Sequence, residues 1–398
     1  MTDSGRDRPS VLVGGTGMVR LPPGTGGAVE AYIHDILAMF SDTPENYGPA
    51  AVRAVSDWVP GYEFRDRCLP VRSPIDRYPL PPYLSALAHW VGGTLTTRAI
   101  EKEVRRHPPD VLHLNEEVTI RLCEGMDLAK VVTIHGPAEY LLRLARSRGW
   151  LGDEPRSDGT LNTLLRRIDW ELVWEALGSY DQVIVLTSFA KETLARLGIP
   201  STLIPLPVDT GRYHPLPDPP AATPRTVLFV GRLEKRKDPT LLVEALTKLP
   251  SDVRLVLVGR GPEEPAVRGL ASRLGLEGRV TLLTECSSDR LTELYRSSGV
   301  FVLPSRIEAY GKVVNEALAS GLPVVVAKSR IYDGLFEAGV VSWFDNVDEC
   351  AEAVGRLLDQ TELRQERSSR SREYAEQKLS YASIRGQLSR VYGAPSPS

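Results

Sequence analysis

A chain of 398 residues, 42% apolar and 25% charged, has room for two or three domains that each bury a core. Its formal net charge of -3 excludes a global positive field for nucleic acid or an anionic membrane, and no window approaches the roughly eighteen apolar residues of a membrane span. Cys68, Cys123, Cys286 and Cys350 stand singly, which excludes metal-ligand pair spacing and points to thiols in a reducing cytosol rather than a disulfide framework.

From the N-terminus, the polar stretch Met1 to Ser10 lacks the apolar segment of a signal peptide, and the expected location is the cytoplasm. VLVGGTG, residues 11–17, is an apolar run that breaks into glycine, as a strand does before a tight turn. In PPGTGGAVEAY, residues 22–32, Gly24, Gly26 and Gly27 allow backbone to approach a ligand closely, and a helix is predicted from near Ala28. This loop has neither the GxGxxG spacing of a dinucleotide fingerprint nor the GK[ST] of a P-loop. Residues 41–85, rich in Pro and aromatic residues, predict irregular structure with short strands. Apolar runs at Val111 to Leu114, Val131 to Ile134 and Val183 to Thr187 then alternate with helical patterns, the signature of parallel strands joined by crossover helices. His113 and His135 fall near the carboxyl ends of two of these strands. A histidine there either packs in the core or reaches a ligand; His135 is the candidate contact and His113 its support. EYLLRLARSRGW, residues 139–150, sets Leu141, Leu142 and Leu144 beside Arg143, Arg146 and Arg148. It reads as an ordinary helix with a solvated face in preference to a membrane-surface helix.

PLPDPPAATP, residues 215–224, carries five prolines and forbids a regular helix or central strand, so it is expected to be an interdomain linker. TVLFVGR, residues 226–232, repeats the strand-into-glycine pattern, and further strands are predicted at Val253 to Val258, Val280 to Leu283, Val300 to Leu303 and Pro323 to Ala327. In VGRLEKRKDP, residues 230–239, Arg232 and Lys237 follow a strand end, a planar fork and a mobile point charge suited to a diphosphate. Which of Lys235, Arg236 and Lys237 points inward stays open, and a solvated basic loop is the alternative. In LPSRIEAYGKVVNEALASGLPVVV, residues 303–326, Glu308 and Tyr310 lie on the loop leaving a strand, and Gly311 precedes a helix. The backbone N–H groups near Gly311, Lys312 and Val313 would form an anion site at the positive end of that helix. Glu316 lies about one turn inside, among Val313, Val314, Ala317 and Leu318, where a carboxylate is costly unless hydrogen-bonded or turned to solvent. Helical pattern continues from Asp348 to about Val391.

Taken together these segments resemble glycosyltransferase family 4, retaining enzymes of the GT-B fold, an α/β architecture of two doubly wound Rossmann-like domains facing a central cleft. The similarity covers nearly the whole chain: Gly26-Gly27-Ala28-Val29-Glu30, the strand end at His135, VLTSFAKETLARLGIP (185–200), IPLPVDTGRYHP (204–215), FVGRLEKRKDP (229–239), LVGRGPE (257–263) and the Glu308/Glu316 pair. It implies an acceptor-binding domain over 1–214, a linker over 215–224, a nucleotide-sugar-binding domain over 225–373, and a helix over 374–392 that returns to the N-terminal domain. Arg232 and Lys237 would hold the diphosphate of a UDP- or GDP-sugar, Glu308 the hydroxyls of the donor sugar, and Glu316 the ribose. Tyr310, Gly311, Lys312 and Val313 would complete that site, with Gly26 and Gly27 near the donor phosphate. His135 would touch the transferred sugar, while His113, Glu117 and Arg143 are expected to contact the acceptor.

Departures from the family pattern bear on the donor sugar. Leu206-Pro207 stands where Asn-Gly is usual, Lys328-Ser329-Arg330 where a Gly-Gly pair is frequent, and Lys312 where an apolar residue is usual. The implied reaction is a front-face substitution in which the acceptor attacks from the side the diphosphate leaves. No Asp-x-Asp occurs, so no metal is expected, and no cofactor besides the donor co-substrate. The expected acceptor is a small, soluble, natural-product-type molecule; a lipid-linked or glycan acceptor is the alternative, as is a nucleotide-sugar epimerase of the same fold. A dinucleotide dehydrogenase is disfavoured by the missing fingerprint.

Overall fold

A computed structural model of the chain describes residues 9–15, 28–41, 51–56, 62–69, 71, 85–115, 117–135, 172–217, 224–308, 310–332 and 334–393. The chain forms two units, Met1–Pro205 with Ile384–Ser398, and Leu206–Ser383. Each is built on a wholly parallel sheet whose strands read as near-continuous apolar runs, because crossover helices cover both faces.

In the first unit the strands are β1 (Ser10–Gly14), β2 (Ala51–Val55), β3 (Cys68–Leu69), β4 (Val111–Leu114), β5 (Ala129–Ile134), β6 (Gln182–Val185) and β7 (Thr202–Leu203), in the order β3-β2-β1-β4-β5-β6-β7. The order reverses between β1 and β4, which is where open α/β sheets bind ligands. Gly14 and Gly15 end β1 at that point. A Cβ on Gly14 would lie 2.8 Å from Leu114 Cδ2, and one on Gly15 2.6 Å from Ile33 Cδ1, so helix and strand side chains close over the strand end only because it is bare. Thr187, expected at the end of a strand, instead caps the helix Ser188–Arg196, its hydroxyl accepting from Ala190 N at 3.2 Å.

The second unit adds β8 (Thr226–Val230), β9 (Arg254–Val258), β10 (Val280–Leu283), β11 (Val300–Leu303), β12 (Val324–Ala327) and β13 (Val341–Phe344), ordered β10-β9-β8-β11-β12-β13. Here the reversal falls between β8 and β11, so the loops following those two strands emerge side by side. The loop after β8 is also clamped by the loop after β9. Leu233 N donates to Arg260 O at 2.8 Å and Glu263 N to Leu233 O at 2.9 Å. That approach needs glycine twice: a Cβ would stand 1.9 Å from Gly231 O at Gly259 and 2.1 Å from Leu233 O at Gly261.

Two expected boundaries move. The division falls at Pro205/Leu206, upstream of the predicted linker, whose residues 218–223 lie outside the described residues. The intervening segment is held to the second unit by side chains distant in sequence: Asn315 Nδ2 donates to Leu206 O at 2.7 Å, Arg372 Nη1 to Tyr213 O at 2.8 Å, and Arg296 Nε to His214 O at 3.0 Å. The C-terminal helical pattern is broken into Val347–Asp359, Thr361–Tyr374, a π turn at Ala375–Leu379 and Tyr381–Gly393, because Gln360 and Ser380 are extended. The return to the first unit begins at Ile384, rather than at Tyr374.

Gly261→Ala is expected to push Leu233 off its clamp and to destabilise the protein by about 1–3 kcal/mol, the range for forced overpacking. A thermal melt of the variant superimposable on wild type would contradict the clamp.

Candidate functional site

The loop after β8 tightens into a 3-10 turn at Lys235–Lys237 and passes through Asp238, at φ 45° the only described non-glycine residue in the left-handed region. Pro239, with its φ pre-set for a first helical turn, then starts the helix Pro239–Leu246. The turn separates three consecutive cations. Lys235 and Arg236 are exposed, whereas Lys237 is buried and its Nζ donates to Glu308 Oε1 on the loop after β11. Glu308 is itself buried, and Arg236 Nη1 stands 3.8 Å from its second oxygen. Burial holds the Lys237 ammonium below its usual range, with the Glu308 carboxylate opposing that shift.

Arg232 is exposed, and its Nε donates to Glu234, which also accepts from Arg236 Nε at 2.9 Å. Burial raises the Glu234 carboxyl, but the Arg232 and Arg236 guanidiniums outweigh it and hold it below the usual range. The result is a continuous chain, Arg232–Glu234–Arg236–Glu308–Lys237, of three cations and two carboxylates at the point where strand order reverses. Glu234 and Arg236 were not singled out from sequence; their alternation with Arg232 and Lys237 was the available signal.

Three residues beyond Glu308, Gly311 takes φ 87° as N-cap of Lys312–Ala319, and no side chain caps that helix. The first turn of a helix presents N–H groups with no intrahelical partner, and its dipole favours an anion. Lys312 and Val313 are half-buried there. Glu316 is half-buried and receives a hydrogen bond of 2.9 Å from the hydroxyl of Tyr295, which answers how a carboxylate persists in an apolar turn. Tyr310, expected to contact a donor, turns inward: it is buried, and its hydroxyl accepts from Asn315 Nδ2 at 3.2 Å. Asn315 spends the same amide on Leu206 O, so Tyr310 belongs to the packing that anchors the start of the unit.

In the first unit, His135 follows β5. Its Nε2 lies 3.0 Å from Asn115 Oδ1, while Asn115 Nδ2 donates to Gly14 O at 3.2 Å. With Asn115 oriented by Gly14, Nε2 must carry the proton, so Nδ1 is left as an acceptor. It is buried and has no hydrogen-bond partner among the described residues. The edge of Tyr32 packs on the ring at 4.9 Å between centroids. His113 is different. It is wholly buried, with Nδ1 2.8 Å from Tyr392 Oη and Nε2 2.7 Å from Thr133 Oγ1. Both nitrogens being used, His113 is a brace for the returning helix and not the acceptor contact expected from sequence. Gly26, Gly27 and Arg143 lie outside the described residues, as does the side chain of Glu117.

Among the described residues no cluster of His, Cys, Asp or Glu is placed to hold a metal ion, and no helix is long and apolar enough to cross a membrane.

Residues 51–212 match the family Glycosyltransferase Family 4, and residues 218–374 match Glycosyl transferases group 1. The chain is 32% identical over 279 residues to D-inositol 3-phosphate glycosyltransferase of Xylanimonas cellulosilytica, covering 64% of this chain and 62% of that protein. It is 38% identical over 148 residues to the enzyme of the same name from Mycobacteroides abscessus, covering 34% and 32%. The alpha-D-kanosaminyltransferase of Streptomyces kanamyceticus is 32% identical over 173 residues, covering 42% and 45%. The matched stretches thus span from 32% to 62% of the length of these relatives. Among solved structures, sucrose-phosphate synthase from Thermosynechococcus elongatus aligns at a TM-score of 0.74 with 20% identity, covering 97% of this chain and 98% of that one. HepE of Anabaena, in complex with UDP-glucose, aligns at 0.68 with 18% identity, covering 96% and 99%. The fold shared with these structures is GT-B.

Two outcomes are expected from this geometry. Lys237→Met strands a buried carboxylate and should destabilise by about 3–5 kcal/mol, whereas adding Glu308→Leu to the same chain should restore most of that loss. A double variant as unstable as the two single variants combined would rule out the pair as the source. The second concerns the histidines. Burial and the neighbouring His135 push His113 down from 6.5 to about 3, and burial does the same to His135. Between pH 6.5 and 3 the unfolded chain therefore binds more protons than the folded one, so this stability is complete above pH 6.5 and is lost as pH falls. Each ring contributes a slope of about 1.4 kcal/mol per pH unit inside that window. The urea midpoint should fall steadily between about pH 6.5 and pH 5, and His113→Gln should flatten the decline.

Proposed function

We propose that this chain, which belongs to glycosyltransferase family 4, transfers a sugar from a nucleoside diphosphate donor to a small polar acceptor, with retention and without a metal ion. The observation that carries the reading is the charged chain from Arg232 to Lys237, set beside the helix start at Gly311 where the strand order reverses.

Arg232, Arg236 and Lys237 are each matched to a carboxylate. A diphosphate entering beside the helix start competes for Lys237 and Arg232. Drawing Lys237 toward phosphate frees a Glu308 oxygen to accept from donor-sugar hydroxyls, so one ion pair serves both halves of the donor. Glu316, already held by Tyr295, accepts from the ribose. His135 offers the lone pair on Nδ1 to a hydroxyl of the transferred sugar. As the bond from the anomeric carbon to the phosphate oxygen breaks, charge accumulates on the diphosphate, and Arg232, Lys237 and the helix N-terminus stabilise it. The acceptor oxygen bonds to that carbon on the same face, and its proton passes to the departing phosphate oxygen. No protein nucleophile or metal takes part, in keeping with the absence of Asp-x-Asp from the sequence.

Relatives named D-inositol 3-phosphate glycosyltransferase favour a small, hydroxyl-rich acceptor. A lipid-linked acceptor is the second reading. It is favoured by 31% identity over 208 residues to a Mycobacterium tuberculosis protein named GDP-mannose-dependent alpha-(1-6)-phosphatidylinositol dimannoside mannosyltransferase.

UDP, GDP, ADP and TDP compared by thermal shift should single out one that raises Tm, through ligand linkage to the folded state. Acceptor-dependent release of that diphosphate separates a transferase from an epimerase. Arg232→Ala and Lys237→Ala should each lower kcat/KM roughly a hundredfold or more, the loss seen when one oxyanion donor is removed. Near-wild-type turnover in both would remove the phosphate site.

A further inference from the structure

Tyr332 closes the short turn Arg330–Tyr332 that follows β12, and its side chain is wholly buried. Its hydroxyl has no hydrogen-bond partner among the described residues. A buried hydroxyl without a partner is destabilising, and Phe would fill the same space without that cost. A hydroxyl kept under those conditions points to a partner that arrives from outside.

The direction of the hydroxyl says where that partner sits. A Cβ placed on Gly311 would lie 2.9 Å from Tyr332 Oη, so the hydroxyl stands against the N-cap of Lys312–Ala319. Gly311 serves this arrangement twice, by adopting φ 87° and by leaving room for the oxygen. The ring cannot easily swing away, since Phe336 and Trp343 pack on it at 5.9 Å and 6.4 Å between centroids. Burial, and after it the nearby Glu308 carboxylate, push the phenol's ionisation well up, so the group stays a proton donor. A fixed O–H donor beside an uncapped helix N-terminus suits an anion.

We propose that the Tyr332 hydroxyl donates a hydrogen bond to a phosphate oxygen of the nucleoside diphosphate bound at this helix start, an inference that rests on the transferase reading above. Two of its neighbours on the same segment are turned to other tasks. Lys328 pairs with Asp345 at 2.5 Å, and Ser329 Oγ donates to Arg306 O at 2.7 Å. Tyr332 is thus a residue by which this segment, which departs from the family pattern, reaches the donor.

The test is Tyr332→Phe in the full chain, with UDP, GDP, ADP and TDP as probes. The unliganded variant should melt at the wild-type temperature or above it, because an unpaired polar group has been removed. Its Kd for the diphosphate that stabilises wild type should rise about 10- to 100-fold, the range for a hydrogen bond to a charged group. Affinity for the matching phosphate-free nucleoside should not change. A lower unliganded Tm would make the hydroxyl structural and overturn the inference, as would a diphosphate Kd within about twofold of wild type or an equal loss for the nucleoside. If no diphosphate stabilises wild type, the transferase reading fails and takes this inference with it, a result distinct from wild-type binding that Tyr332→Phe leaves intact.

Discussion

The ion pair between Lys237 and Glu308 is the interaction on which the second unit's site depends. It joins loops that follow β8 and β11, adjacent only because the sheet reverses its strand order between them. Both groups are buried, so neither is stable alone, and each fixes where the other can be. The rest of the arrangement is arranged around that mutual requirement. The glycines at 259 and 261 let one loop lie against another, the left-handed Asp238 turns the chain into a helix directly after the lysine, and Glu234 ties down the two arginines that flank the pair.

Such a site is preorganised by charge rather than by shape. Its cations face carboxylates, which avoids like-charge repulsion among three closely spaced positive groups. In the proposed reading, a diphosphate would exchange those partners for its own oxygens and leave the carboxylates to hydroxyl groups. One network of cations and carboxylates would then meet both needs of the proposed nucleotide-sugar ligand, an anionic centre and polyol ends. The first unit uses a different device. There, burial keeps two imidazoles neutral, and hydrogen bonding sorts them, one saturated by Thr133 and Tyr392, the other held by Asn115 with a lone pair to spare.

Much of the architecture was legible from local pattern. Apolar runs bounded by glycine located strands in both units, since a strand buried on two faces has no polar alternation to confuse it. Gly311 and Pro239 marked helix starts for stereochemical reasons that operate within a few residues. Local pattern failed where the deciding partner was distant. Tyr310 reads as a ligand contact beside Glu308, but Asn315 and Leu206 draw it into the core. His113 reads as a strand-end histidine, but its Nδ1 is met by a hydroxyl 279 residues away. The proline-rich stretch suggested a division that Arg296, Arg372 and Asn315 shift upstream by binding the preceding backbone.

The amino-acid order by itself determined the alternation of strand and helix, the glycine-dependent turns and the set of charged residues available at strand ends. Those follow from backbone sterics and the period of apolar side chains, which act over short spans. Only the tertiary structure decided that Lys237 faces inward while Lys235 and Arg236 do not, that Glu234 bridges the arginines, and that the Tyr332 hydroxyl stands at a helix start. Each of those outcomes depends on burial and on partners supplied by other strands, and desolvation of a charge or a hydroxyl has no value until the chain around it is packed.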